Sequence, residues 1–246
     1  MSRNVVITGV SGGIGARTAR RFSEEGAHVI GVDADPSGEQ HCDVFSTVDL
    51  RDREAIRSFC EELRTAHKEI ASLVHVAGLQ LNKPIVETTP EEWDEVFATN
   101  VRSLFLLVRN LVDSLAGGSI VIVSSVHAKA TSSGASAYAA SKGALSSLTR
   151  SLAVELAEEE IRVNAVLPGA IDTDMLKEGL NRFPDPERAR EQLVEATPLE
   201  KVGSPDDVAE MIAFLASPSR AGNVTGQEFV CDGGVLAQLA SETGDA

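Results

Sequence analysis

The chain uses tyrosine once, at Tyr138, four residues before Lys142 in the stretch AYAASKGALSSLTRSLAVEL. Residues four apart on a helix share a face, so the phenol and the ammonium should project side by side. A nearby positive charge favours phenolate, which predicts a tyrosine of lowered pKa suited to proton transfer. A lone Tyr-x-x-x-Lys is also a common surface pair, so the rest of the chain must decide between the two. A second group of residues lies near the start, where the apolar run NVVIT leads into TGVSGGIG, with Gly9, Gly13 and Gly15 in a G-x-x-x-G-x-G pattern. Glycines after a strand and before a helix permit a tight turn and let backbone amides approach a pyrophosphate. The next apolar run ends at Asp33, about 20 residues on, where an acid accepts hydrogen bonds from the adenosine ribose of NAD and repels a 2′-phosphate.

These residues need elements to hold them. Strand candidates are NVVIT, HVIGVD, STVDL, SLVHVA, SIVIVSS, RVNAVLP and QEFVC, several of them continuously apolar and rich in Val and Ile. Such runs suit a parallel sheet covered on both faces. Helical stretches lie between them. Thr89, Pro90 and Glu92 form a capping-box start, and Ser204, Pro205 and Asp207 repeat it with aspartate. Alternation of this kind predicts an α/β fold, a Rossmann-type doubly wound parallel sheet of about seven strands with helices on both faces. A single domain over residues 1–246 is expected, since α/β units of this length commonly stay undivided. Residues 174–203 form a long polar stretch after a strand end, where a substrate loop or lid would sit. Residues 237–246 read as a flexible tail.

Lys and Arg total 22 against 37 acids, a net charge of −15. That field repels phosphate backbones and anionic surfaces, so neither nucleic acid nor a membrane is an expected partner. No apolar run approaches the roughly 20 residues of a membrane span. The opening MSRNVVITG leaves no room for a signal peptide, and Cys42, Cys60 and Cys231 lack metal-ligand spacing, so a cytoplasmic protein without a metal is expected. Acid excess with scarce lysine also suits a salty cytoplasm.

Taken in order, TGVSGGIG, Asp49-Leu50, HVAG, NVRSLF, the paired serines, YAASK, PGAIDT and DGG resemble the short-chain dehydrogenase/reductase superfamily, in its compact branch of about 250 residues. The resemblance runs from Val5 to about Gly234. It implies a catalytic tetrad of Asn100, Ser125, Tyr138 and Lys142, in which the serine thirteen residues before the tyrosine selects Ser125 over Ser124. Tyr138 would exchange the proton, Lys142 lower its pKa and bind the nicotinamide ribose, and Ser125 orient the reacting oxygen. Asn100 would hold a water linking Lys142 to solvent. The resemblance also implies NAD contacts at Gly9, Ser11, Gly13, Ile14, Gly15, Asp33, Asp49, Leu50, Ala77, Gly78, Pro168, Gly169, Ile171 and Thr173, besides Tyr138 and Lys142. NADP-preferring members tend to carry Arg or Lys where this chain has Gly12 or Ala34, so NAD is expected. Val76 replaces the family asparagine of Asn-Ala-Gly, which puts the rigidity of that loop in doubt.

The implied reaction is hydride transfer between a secondary alcohol and its ketone or aldehyde, in a homotetramer. Polar residues near the expected site (Gln80, Asn82, Lys83, His127, Lys129, Asn181, Arg182, Arg188, Arg190) point to a polar, neutral or anionic, sugar- or polyol-like substrate, with Gln80, His127 and Arg182 as the contacts chosen. A 3-oxoacyl-thioester or steroid-type carbonyl reductase and a non-catalytic dinucleotide-binding regulator are the competing readings.

Overall fold

In a computed structural model that describes residues 3–239, the strands form one seven-stranded sheet, ordered β3-β2-β1-β4-β5-β6-β7. They are β1 (Asn4–Thr8), β2 (His28–Asp33), β3 (Val44–Thr47), β4 (Ser72–His75), β5 (Ser119–Val123), β6 (Arg162–Pro168) and β7 (Glu228–Cys231). Every neighbouring pair is parallel. Alternate strand residues feed opposite cores. Val6, Ile30, Leu73 and Ile120 pack beneath α2 (Arg53–Ala66), α4 (Ser103–Leu111) and α5 (Ser136–Glu155). Val5, Ile7, Val29 and Val121 face α1 (Gly13–Glu24) and α8 (Pro205–Ala216). Both faces are dry, which is why these strands read as unbroken apolar runs.

Four strands are shorter than the runs expected for them, β7 by only its first residue, Gln227. STVDL was expected to be a strand, but β3 ends at Thr47, which pairs with Asp33, the last residue of β2. Val48 and Leu50 are apolar because they are buried beyond the ladder, not because they pair in it. β4 ends at His75, where the Val76 and Ala77 amides turn to the Thr8 hydroxyl at 3.2 and 3.1 Å. β5 likewise ends at Val123, before the two serines.

The helix starts follow the local chemistry. Thr89 and Glu92 close a capping box on α3 (Pro90–Phe97), and Ser204 and Asp207 do the same on α8. Between α3 and α4 the helix widens into a π-turn at Ala98–Arg102, which contains Asn100. The stretch 174–203 is mostly helical, with α6 (Asp174–Leu180) capped by Thr173 and α7 (Pro186–Glu195) capped by Asp185. Of the expected flexible tail, residues 240–246 lie outside the described residues. Among the described residues no helix is long and apolar enough to cross a membrane.

Candidate active site

The chain runs outward from β1 to β2 and β3, then returns to place β4 on the other side of β1. A crevice at the strand carboxyl ends is the consequence of that reversal. Here it opens into a cavity of about 950 Å³. Every residue assigned to the cofactor lines it, as do the chosen substrate contacts Gln80, His127 and Arg182, and Ser125, Tyr138 and Lys142. Asn100 lies behind the wall, fully buried.

One half is shaped for a dinucleotide. Gly9 has φ +75°, and a Cβ there would lie 2.7 Å from the Ala77 nitrogen. A Cβ on Gly15 would lie 2.0 Å from the Gly9 carbonyl oxygen, and one on Gly13 would lie 2.9 Å from Thr173 Cγ2. The turn therefore runs flush against its neighbours, and side chains there would fill the cradle. Ser11 and Ile14 complete this wall. The first turn of α1 has neither a side-chain cap nor an acidic residue, so its amides remain available to an anion. Asp33 is fixed by the amides of Ser11 and Asp35, both at 3.0 Å. Gly12 and Ala34 add no cation beside it. Further along, Asp49 is gripped by Arg51, which holds its carboxyl below the usual range and also pairs with Glu95. Leu50 is buried next to it. Arg51 and Glu95 were not among the expected residues, and their paired charges line the cavity too.

The other half carries the reactive groups. Ala77 and Gly78 form one wall, and Pro168, Gly169, Ile171 and Thr173 form the opposite one. A Cβ on Gly78 would stand 3.3 Å from Lys142 Nζ, so only glycine leaves the ammonium uncovered. Tyr138 and Lys142 lie one turn apart on the buried face of α5, with Nζ 5.4 Å from the phenol ring centre. Ser125 has extended backbone and accepts from the His127 amide at 3.1 Å, and its hydroxyl is near enough to the Tyr138 phenol to draw that pKa down. Ser124 turns inward, donating to the Lys142 carbonyl at 2.9 Å. These residues fit a nicotinamide dinucleotide, which when bound supplies the hydride acceptor or donor.

The electrostatics correct one expectation. Tyr138 is not acidified: burial pushes its pKa up to about 12, opposed by the nearby Ser125 hydroxyl. Lys142 donates to the Val123 carbonyl at 2.9 Å, and its own burial brings it down to about 8. Desolvation thus penalises both charges and outweighs their attraction across the ring.

Asn100 is held on both sides of its amide. Its Oδ1 accepts from the Leu79 amide at 2.7 Å, and its Nδ2 donates to the Leu79 carbonyl and to Ser141 Oγ. The side chain thus ties the loop after β4 to α5, and Oδ1 keeps a second lone pair for a further donor. The loop that Val76 left in doubt is held from a second side. Thr8 and His75 are direct ladder neighbours, and Thr8 Oγ1 lies 3.1 Å from His75 Nδ1. Because Thr8 Oγ1 already accepts from two amides, its proton belongs to His75 Nδ1. His75 Nε2–H then faces the Asn100 carbonyl at 3.3 Å and Ser103 Oγ at 3.4 Å. Neither Thr8 nor His75 was singled out in the sequence. A polar residue ending each of two apolar strands was the available signal, since buried polar groups must be bonded.

The structure separates the nine polar candidates for substrate contact. Lys83 pairs with Glu92, Lys129 with Glu228, Arg188 with Glu191 and Glu195, and Arg190 with Asp172. Asn82 is bound to Gln80. Gln80, His127 and Arg182 line the cavity, whereas Asn82, Lys83, Lys129, Asn181, Arg188 and Arg190 do not. His127 packs edge-on against the Tyr138 ring, 5.5 Å between centres.

The same assembly recurs among known proteins. A family model described as enoyl-(acyl carrier protein) reductase matches residues 9–236. The 2,3-dihydro-2,3-dihydroxybenzoate dehydrogenase of Escherichia coli is 36% identical over 94% of this chain and 96% of its own. The ligand-free aldohexose dehydrogenase of Thermoplasma acidophilum superposes with a TM-score of 0.92 at 28% identity, covering 99% of this chain and 98% of that one. ElxO with NADP bound superposes at 0.86 and 27% identity, over 97% of this chain and 100% of that one. The chain therefore belongs to the short-chain dehydrogenase/reductase family, oxidoreductases that act on alcohol or carbonyl groups with a nicotinamide dinucleotide.

Proposed function

We propose that the protein interconverts a secondary alcohol and its ketone or aldehyde, with NAD(H) as the preferred cofactor and Tyr138 as the general acid/base. The observation that carries this reading is the convergence of Ser125, Tyr138 and Lys142 on one cavity, beside a glycine turn packed too closely to admit side chains at Gly9, Gly13 and Gly15. In oxidation Tyr138 takes the hydroxyl proton while the carbinol C–H bond breaks with hydride transfer, and in reduction the proton returns. Ser125 stabilises the reacting oxygen, and Lys142 holds the nicotinamide ribose. Asn100 acts as a positioning residue through Leu79 and Ser141. Asp33 without a cation at Gly12 or Ala34 supports NAD over NADP, although the similar ElxO has been solved with NADP bound. Residues 174–203 serve as the substrate lid of one catalytic domain.

Gln80, His127 and Arg182 suit a hydroxylated, sugar- or polyol-like substrate. Two relatives support that class by name, one an aldohexose dehydrogenase and one acting on a dihydroxylated ring acid. The acyl-carrier description of the matching family favours a thioester reductase as the second reading. Initial rates with NAD⁺ and NADP⁺ over a panel of sugars, polyols and hydroxy acids, and with NADH or NADPH on 3-oxoacyl thioesters, decide between them. Faster turnover of the thioesters would displace the polyol reading, and no turnover of either class would displace both.

A further inference from the structure

The substrate half of the cavity has uneven chemistry. Met175, Leu176, Leu180, Phe183, Leu193 and Val235 give it an apolar lining on the side of α6 and α7. Asp174 is the acid at this end, and Lys177 neutralises it at 2.8 Å. Arg182 stands in the turn between α6 and α7 and differs from the other cations of this region. Arg188 and Arg190 are committed to carboxylates, whereas among the described residues Arg182 has no acidic partner. Its guanidinium lies over the Phe183 ring, 4.9 Å from the centre, which leaves its edge donors free. It is near enough to His127 for its charge to join burial in holding that imidazole below its ordinary pKa, and His127 in turn touches Tyr138. In a chain of net charge −15, an arginine with no acidic partner among the described residues, on the same cavity as Tyr138, is suited to receive an anion.

We propose that the substrate is a secondary alcohol or ketone that carries a carboxylate on an otherwise weakly polar carbon body, with Arg182 as the carboxylate's anchor and His127 between that anchor and Tyr138. This rests on the alcohol dehydrogenase reading for the identity of the reacting oxygen, and it narrows the hydroxylated substrate class to hydroxy or oxo acids with few hydroxyls. One guanidinium edge matches one carboxylate through two parallel hydrogen bonds. A phosphate dianion would want more cations than this end offers, and it would meet the repulsion of the whole acidic surface. The apolar walls suit a carbon frame better than a sugar hydroxylated on every face.

The test uses dead-end ligands on the enzyme–NADH complex, so that binding is read without turnover. The three hydroxybenzoates are titrated beside their hydroxybenzamides by isothermal calorimetry, with the unmodified protein, Arg182→Ala and Arg182→Lys. At least one acid should bind about tenfold or more tighter than its amide, the worth of one charge-assisted contact. Arg182→Ala should bring that ratio close to one, and Arg182→Lys should keep part of it, because charge survives and the fork does not. Arg182 is exposed on a turn, so its replacement leaves the core intact. Equal affinity for acid and amide, absence of binding by either, or a preference that persists in Arg182→Ala would overturn the proposal. An acid preference in a protein that turns over no alcohol would leave the anchor standing and remove the dehydrogenase reading. Alcohol turnover without acid preference would do the reverse.

Discussion

Burial holds the proton on Tyr138 in the cofactor-free protein, and Lys142 is too deeply desolvated to reverse that. On the proposed mechanism, activation of the phenol would come with cofactor binding, through the positive charge of an oxidised nicotinamide. Tyr138→Phe keeps the ring packed against His127 and removes only the proton carrier. Turnover of the best alcohol should fall by roughly 10²–10⁴-fold, the usual worth of a general acid/base, while calorimetry finds NAD⁺ still bound. Substantial residual activity would move the proton transfer to another group. Asp33 is fixed by two amides and faces the ribose end of the cavity. Asp33→Ala should narrow the ratio of kcat/KM for NAD⁺ over NADP⁺, by weakening the first and relieving repulsion on the second. A ratio that does not move would place cofactor choice elsewhere.

β1, β4 and the π-turn are locked together by Thr8, His75 and Asn100. The His75 ring is fully buried, and its pKa is lowered to about 4, by desolvation first and by the charge of Lys142 second, against the Asn100 hydrogen bond that raises it. The unfolded histidine titrates near 6.5, so between those values the unfolded chain binds the extra proton and the folded one does not. Stability contributed by the neutral ring is thus intact above about pH 6.5 and is lost as pH falls toward 4, by about 3 kcal/mol across the window. Denaturant titrations from pH 7 to 4 should show this slope, and His75→Asn should flatten it while lowering stability at pH 7. An unchanged slope in the variant would mean that the carboxylates alone set the acid limit. The capping boxes at Thr89 and Ser204 were plain in the sequence because their partners lie three residues away. The link from Thr8 to His75 was not, because its partners lie 67 residues apart.

Across the whole molecule, two surfaces bear on behaviour in solution. Phe105 on α4 is 51% exposed and Val154 on α5 is 80% exposed, on helices that otherwise pack on the sheet. Apolar residues left on both helices support a homotetramer in which α4 and α5 meet their counterparts across a two-fold axis. Sedimentation at micromolar concentration should give a tetramer, and a monomer would refute it. The ion pairs are mostly exposed, such as Arg57 with Glu54 and Glu61, and add little each. Uncompensated acidic repulsion should therefore dominate the salt response, with Tm rising as salt screens it. A Tm indifferent to salt would remove the link to a salty interior.

Local patterns carried the fold, the glycine turn and the Tyr138–Lys142 pair, and the family resemblance supplied the rest of the expected site. Strand–helix alternation, glycine spacing and the Tyr-x-x-x-Lys turn depend on neighbours along the chain, so the sheet, the cradle and the placement of Tyr138 and Lys142 on one helix face were readable from residues alone. The ends of β3 and β4, the polar lock of Thr8 with His75, and the lack of an acidic partner for Arg182 among the described residues were decided in three dimensions. Strand ends depend on where the neighbouring strand stops, a buried hydrogen bond on which distant group arrives, and an arginine's availability on which carboxylates already hold the others. The pKa of Tyr138 belongs with these. Proximity to Lys142 is written in the sequence, but the desolvation that outweighs it exists only once the cavity wall has closed around both side chains.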